Sequence, residues 1–257
     1  MKKVFLISVF ASLLVSCGVY QLQKSEGVSV GVTDLDSDNS ELTDMVTPYK
    51  NSLDSTMNEV IAISDMEMST GSPQGLLGNW ACDLSLEIGN EHYKEVSEFE
   101  ADFSLLNNGG LRTFLPEGEV TRRKIFEIMP FENELVVITL SPEKTAELFR
   151  FIAAKTVKEG NRKQGVPVSS NIEVYIKEQL PINVLIDSVP LKGRNYRVIT
   201  SDYLANGGDN MSFFLNPVSY EKLGIKLRDA MLVHCERETK KGKALTSNLD
   251  KRIMYVN

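Results

Sequence analysis

Leu135-Val136-Val137-Ile138-Thr139-Leu140-Ser141-Pro142-Glu143 is the stretch that sets the fold class. Leu135 to Leu140 is rich in β-branched side chains, which reads as a buried strand. Ser141 then offers a side-chain oxygen as helix N-cap. Pro142 takes the first helical position, where a missing N–H costs nothing. The helix is expected to run to about Val157, with Leu148, Phe149 and Ile152 inward. Upstream, Val60 to Ile63 reads as a short strand. Leu76 to Ile88 reads as a helix with Leu77, Trp80, Ala81, Leu84 and Ile88 in register, and Phe99 to Leu106 as a strand. Thr121 can cap a short helix from Arg122 to Met129, stopped by Pro130. Downstream, Val166 to Ile176, Ile182 to Asp187 and Tyr196 to Ser201 are strand candidates. Leu227 to Glu238 is a last helix and Arg252 to Val256 a closing strand. Helices and strands mix without strict alternation, so the expected class is α+β, a mixed β-sheet packed with helices.

The N-terminus is a different kind of segment. Lys2-Lys3 precedes an apolar run from Val4 to Val15, broken only by Ser8 and Ser12. That is the pattern of a secretory signal, shorter than the roughly 20 residues of a membrane span. Ser16-Cys17-Gly18 places a cysteine where cleavage is expected. The stretch resembles a bacterial lipobox, which implies lipidation of Cys17; a plain signal with an incidental cysteine is the alternative. Gly18 after it, by resemblance to lipoproteins of two-membrane bacteria, implies an outer-membrane anchor. The expected organisation is a signal peptide at 1–16, lipid attachment and lead-in at 17–40, and one domain at 41–257. Within the lead-in, Val28, Val30 and Val32 could form a strand, and the acidic run Asp34 to Ser40 reads as a solvated loop. The domain opens with a helix from about Glu41 to Asn58, with Leu42, Met45, Val46, Tyr49, Leu53 and Met57 on one side. Pro48 would kink it or mark its first turn.

With 257 residues, 42% hydrophobic and 25% charged, the chain can bury a core without disulfides. An exported compartment would permit Cys82 and Cys235 to pair. Cys82, in an apolar helical pattern, reads instead as a buried free thiol. A formal net charge of -7 argues against nucleic acid polymers as partners, since they are bound by neutralising phosphates. It leaves room for one phosphate facing one arginine.

Three distant segments carry the functional reading: Asn107-Asn108-Gly109-Gly110-Leu111-Arg112, Pro130-Phe131-Glu132-Asn133 and Tyr203-Leu204-Ala205-Asn206-Gly207-Gly208-Asp209. Glycine pairs let a backbone approach a ligand with no Cβ in the way. Arg112 offers a planar fork suited to phosphate or ribose oxygens, and Asn133 adds an amide. Asp209 can accept two hydrogen bonds, which suits a vicinal diol. Phe131 and Tyr203, both on expected loops, offer two faces for a flat heterocycle. The plainer alternatives are an Arg112–Asp209 ion pair between loops and two aromatics buried in the core.

The order and approximate spacing of these segments resemble the C-terminal, substrate-binding domain of the 5'-nucleotidase family. Its pattern is roughly Asn-x-Gly-Gly-Ile-Arg, then Pro-Phe-Gly-Asn, then aromatic-x-Ala-x-Gly-Gly-Asp-Gly-aromatic. Leu77-Gly78-Asn79 also resembles the family's Leu-Gly-Asn, and the likeness covers about residues 70–257. It implies that Phe131 and Tyr203 sandwich the base, that Asn107 hydrogen-bonds it, and that Asp209 holds the ribose hydroxyls. Arg112 is implied near phosphate and ribose, with Asn133 and Gly208 completing the site. Three departures stand out. Glu132 replaces a glycine and adds a charge beside the stacking ring, Asn210 and Met211 replace a glycine and an aromatic, and Pro73 stands about where many members carry a second substrate arginine.

Full-length members carry a metallophosphoesterase domain with two metal ions held by Asp, His and Asn. This chain has two histidines, His92 and His234, no Asp-x-His and no Gly-Asn-His. Both histidines read as structural or surface residues, and no residue is assigned a catalytic role. The resemblance therefore implies a nucleoside 5'-monophosphate or related nucleotide as ligand and no cofactor on this chain, with two divalent metal ions on a separate metallophosphoesterase chain. The alternative is a non-enzymatic tethered module that binds a nucleotide or a protein.

Overall fold

The computed structural model describes residues 27–29, 40–160 and 164–256. The expected signal, Cys17, and most of the lead-in, including Val30, Val32 and the acidic run up to Asn39, lie outside the described residues. The chain divides into two units, Met1–Pro48 and Tyr49–Asn257, and all the strands among the described residues belong to the second.

The described elements are α1 (Ser40–Met57), β1 (Val60–Ser64), α2 (Leu76–Tyr93), β2 (Phe103–Ser104), β3 (Gly118–Thr121), α3 (Arg122–Ile128), β4 (Glu134–Leu140) and α4 (Pro142–Lys155). They continue with β5 (Ile172–Lys177), β6 (Leu180–Ile186), β7 (Val189–Pro190), β8 (Tyr196–Ser201), α5 (Asp202–Ala205), β9 (Ser219–Lys226), α6 (Leu227–Lys240) and β10 (Ile253–Tyr255). They form a sheet of order β2-β8-β4-β9, a second of order β10-β5-β6-β7, and a β1-β3 pair. Parallel pairings (β2 with β8, β10 with β5) and antiparallel ones occur in the same sheets, so the class is α+β with mixed sheets. Among the described residues, no helix is long and apolar enough to cross a membrane.

β4 is apolar on both faces from Leu135 to Ile138 because both of its faces are covered. Leu135 and Val137 enter a core shared with Leu77, Leu84 and Ile88 of α2 and Ala230 and Met231 of α6. Val136, Ile138 and Leu140 enter another, shared with Leu148, Phe149 and Ile152 of α4 and Ile172 and Val174 of β5. The caps sit where the sequence puts them: the Ser141 hydroxyl accepts from the Lys144 N–H, and the Thr121 hydroxyl from the Lys124 N–H. Gly89 lets α2 lie close on the sheet, since a Cβ there would come within 2.7 Å of Ile199 Cδ1.

The sheet also decides where three loops begin. β2 runs parallel to β8, with Ser104 opposite Ile199, and β4 runs antiparallel, with Leu135 opposite Ser201. The ends of β2 and β8 and the start of β4 therefore lie at one edge of the sheet. From that edge emerge the segments that carry Asn107, Tyr203 and Phe131.

Several strand expectations need correction. Phe99–Leu106 is a strand only at Phe103–Ser104, because side chains take two of the backbone donors that a longer ladder would use. Asn90 Oδ1 accepts from the Ala101 N–H at 2.7 Å, and the Asp102 carboxylate accepts from the Arg197 N–H at 2.7 Å. The expected strand at Val166–Ile176 is laddered only from Ile172, since Pro167 has no N–H and Ser169 turns the chain back on Ile172. β9 was not anticipated; its inward Leu223 and Ile225 alternate with charged residues across Gly224, whose φ is +68°. α1 is as expected in extent and carries Pro48 inside it, but none of its residues is buried. Cys82 and Cys235 are buried free thiols, and burial pushes both up to about 12, which leaves them unreactive.

Candidate functional site

The three loops close on one cleft of about 400 Å³, lined by Asn107, Gly109, Gly110, Arg112, Phe131, Asn133, Tyr203 and Asp209. A second cavity of about 490 Å³ adjoins it and shares Asn107, Gly109 and Asp209. Of the anticipated residues, only Gly208 is missing from the lining of the first cleft. It lies under Tyr203, where a Cβ would come within 2.5 Å of the ring, so only glycine lets the ring sit there.

After β2 the chain makes a 3₁₀ turn at Asn108–Gly110. Asn108 is buried and donates its amide N–H groups to the carbonyls of Gly71 (3.0 Å) and Gln164 (2.6 Å), which pins the turn to two other segments. Gly110 leaves room for Asn107, whose Oδ1 would stand 2.9 Å from an added Cβ. The Arg112 backbone N–H donates to the Ile128 carbonyl at 2.8 Å. Its guanidinium donates to the Gly109 carbonyl at 3.2 Å and lies 5.9 Å from the Phe131 ring centroid, within cation–π range.

Phe131 and Tyr203 are not core residues. They are 42% and 47% exposed on the cleft. Phe131 stands on the loop between α3 and β4, and the start of α6 grips that loop. The Leu227 N–H donates to the Asn133 carbonyl at 2.9 Å, and Arg228 donates to the carbonyls of Met129 and Phe131, each at 3.4 Å. Glu132, expected to put a charge beside the stacking ring, is tied instead to Arg228 and Lys226. These two cations hold its carboxyl down at about 2. Nothing in the sequence pointed to Arg228, a lone arginine in the first turn of a distant helix.

Tyr203 lies in α5, which Ser201 caps. Its hydroxyl donates to Asp209 Oδ1 at 2.9 Å, and Asn107 Nδ2 donates to Asp209 Oδ2 at 2.6 Å. Asn107, expected to hydrogen-bond a base, is thus engaged with the carboxylate. The carboxylate beside the Tyr203 hydroxyl raises its pKa, which keeps the phenol protonated at neutral pH. Gly207, Asp209 and Asn210 have φ of 85°, 51° and 64°, left-handed values that Asp and Asn tolerate better than most residues. An ionised carboxylate offers about four acceptor sites. With each oxygen already taking one donor, Asp209 is fixed in place and can still accept from a ligand diol.

The described residues do not fit a two-metal centre. No group of three or more His, Cys, Asp or Glu among them could hold a metal ion. The His92 ring nitrogen lies 3.2 Å from the Leu223 carbonyl. His234 packs edge-on to Trp80 with ring centroids 5.7 Å apart, and burial lowers its pKa.

The sequence model of the family described as "5'-nucleotidase, C-terminal domain" matches residues 56–216. The chain belongs to this family. It is 26% identical over 182 residues to a 5'-nucleotidase of Vibrio parahaemolyticus, a match that spans 70% of this chain and 31% of that protein. It is 25% identical over 227 residues to a trifunctional nucleotide phosphoesterase of Bacillus subtilis, across 80% of this chain and 15% of the relative. In fold it is similar to a 5'-nucleotidase precursor from Thermus thermophilus, with a TM-score of 0.65 at 21% identity, across 86% of this chain and 44% of that one. The chain therefore spans about a third or less of the length of these sequence relatives.

The carboxyl of Glu132 titrates lower in this 5'-nucleotidase C-terminal domain than in an unfolded chain. Its stabilising contribution is complete above the ordinary value of 4.5 and is lost as pH falls toward about 2. Glu132→Gln is expected to flatten the stability profile across that window and to leave its shape above neutrality unchanged. Denaturant titrations at stepped pH would measure this; a variant profile as steep as the parent's would contradict the Arg228–Glu132–Lys226 cluster.

Proposed function

We propose that this domain recognises nucleotides for a 5'-nucleotidase-type phosphohydrolase and contributes to nucleotide catabolism. The convergence of three distant loops on one cleft with two exposed aromatic rings is the observation that carries this reading. In it, Phe131 and Tyr203 stack on the two faces of the base of a nucleoside 5'-phosphate. Asp209 accepts from the ribose hydroxyls. Asn107 gives one amide hydrogen to Asp209 and so orients that carboxylate, while its second hydrogen and its oxygen meet the base beside the Asn133 amide. Arg112 meets the phosphate side. Gly208 gives Tyr203 its seat.

In this reading a separate metallophosphoesterase chain would hold the two divalent ions, which would supply activation of the attacking water. The domain's own contribution to rate is positioning, which can supply several kcal/mol when the reacting groups are held in line. The poor fit of the described residues to a metal centre supports placing the metals outside this domain. Lipidation at Cys17 would tether the domain to the outer membrane, with each buried CH₂ worth about 0.8 kcal/mol.

Calorimetry with a panel of nucleoside 5'-monophosphates tests the cleft. Each stacked face is worth about 1–3 kcal/mol, so Phe131→Ala with Tyr203→Ala is expected to weaken binding roughly thirtyfold or more. Unchanged affinity in the double variant would refute the sandwich. The catalytic reading is tested by phosphate release with Mn²⁺ or Zn²⁺ present. Release is expected only when a metallophosphoesterase is added, and turnover by the purified chain alone would overturn it.

A further inference from the structure

We infer that Arg228 is a positioning residue for the base: with Glu132 it forms a clamp that holds Phe131 in the stacking position before any ligand arrives. The inference deepens the proposed function and rests on it.

The clamp is built from contacts that converge on one guanidinium. Arg228 is only 6% exposed, in the first turn of α6. One nitrogen, Nη1, reaches the carbonyls on both sides of Pro130, those of Met129 and Phe131, at 3.4 Å each. The other, Nη2, pairs with the Glu132 carboxylate, which Lys226 also holds. The guanidinium plane lies over Phe126 of α3, 4.3 Å from the ring centroid. One cation thus ties the end of α3, the Phe131 loop and the start of α6 into one body.

The chemistry explains why this matters for an exposed ring. Phe131 is 42% exposed, so core packing cannot fix it by itself. A mobile ring would lose its freedom on stacking, and ordering a free side chain costs about 0.5–1.5 kcal/mol, or roughly two- to tenfold in affinity. Fixing the backbone on both sides of the ring in advance removes part of that cost. Glu132 supplies the counter-charge of the clamp. A glycine at that position would have no carboxylate to neutralise Arg228, and a buried guanidinium without a counter-charge is expensive.

A double-mutant cycle on nucleoside binding tests the clamp. Arg228→Met is expected to weaken nucleoside binding roughly two- to tenfold in the parent and to have no further effect in a Phe131→Ala background. Binding of ribose 5-phosphate, which has no base to stack, is expected to stay the same. Arg228→Lys should recover part of the loss by keeping the charge near Glu132. Because Arg228→Met risks the fold, Glu132→Ala, a change at a largely exposed side chain, is run beside it; its melting transition should stay cooperative, at a lower temperature because Arg228 loses its counter-charge, and its affinity should shift the same way. Equal losses of Arg228→Met with and without Phe131, equal losses for ribose 5-phosphate and nucleoside, or an unaffected Glu132→Ala would each overturn the inference. Parent protein that binds no nucleoside would instead sink the proposed function beneath it.

Discussion

The register between β4 and β8 is the constraint on which the site depends. With Leu135 set opposite Ser201, the start of β4 and the end of β8 share an edge, and β2 ends there too because it runs parallel to β8. A slip of one residue would turn every β4 side chain to the other face of the sheet. Burial prevents it: Leu135 and Val137 are committed to one core, and Val136 and Ile138 to the other. Neither layer would accept the exchange, so the apolar pattern of one strand fixes where Phe131, Tyr203 and Asn107 meet.

On that scaffold the loops are set by polar contacts rather than by packing. Asp209 is the meeting point: it takes a donor from Tyr203, six residues back, and one from Asn107, 102 residues away. Its own backbone is left-handed, as is that of Asn210, a conformation held against its intrinsic cost by these contacts. Gly208 is required by the Tyr203 ring lying on it. The site therefore has a rigid rim and two partly exposed rings, the form expected of a slot shaped before its ligand arrives.

Much of this was legible in the residues. β4, the Ser141-Pro142 helix start and the Thr121 cap could be read because each is local chemistry: shape, a missing N–H, a hydroxyl acceptor. The three motif segments, two of them with glycine pairs, could be read as a set because their order and spacing are distinctive. What escaped was non-local. Phe99 to Asp102 looks like strand until Asn90 is seen to take the Ala101 N–H and the Asp102 carboxylate the Arg197 N–H of β8. β9 hides its alternation behind Gly224 and its charges. Arg228 clamps a loop 97 residues upstream and leaves no local trace. Glu132 read as an intrusive charge because its partners lie on β9 and α6. The hydrogen bond from Asn107 to the Asp209 carboxylate spans 102 residues and leaves no local trace either.

The most direct measurement is a crystal of the protein soaked with a nucleoside, read as a difference map. The account predicts flat density between the Phe131 and Tyr203 rings, with the ribose hydroxyls within hydrogen-bond distance of the Asp209 carboxylate. A base bound elsewhere, or a sugar turned away from Asp209, would contradict it.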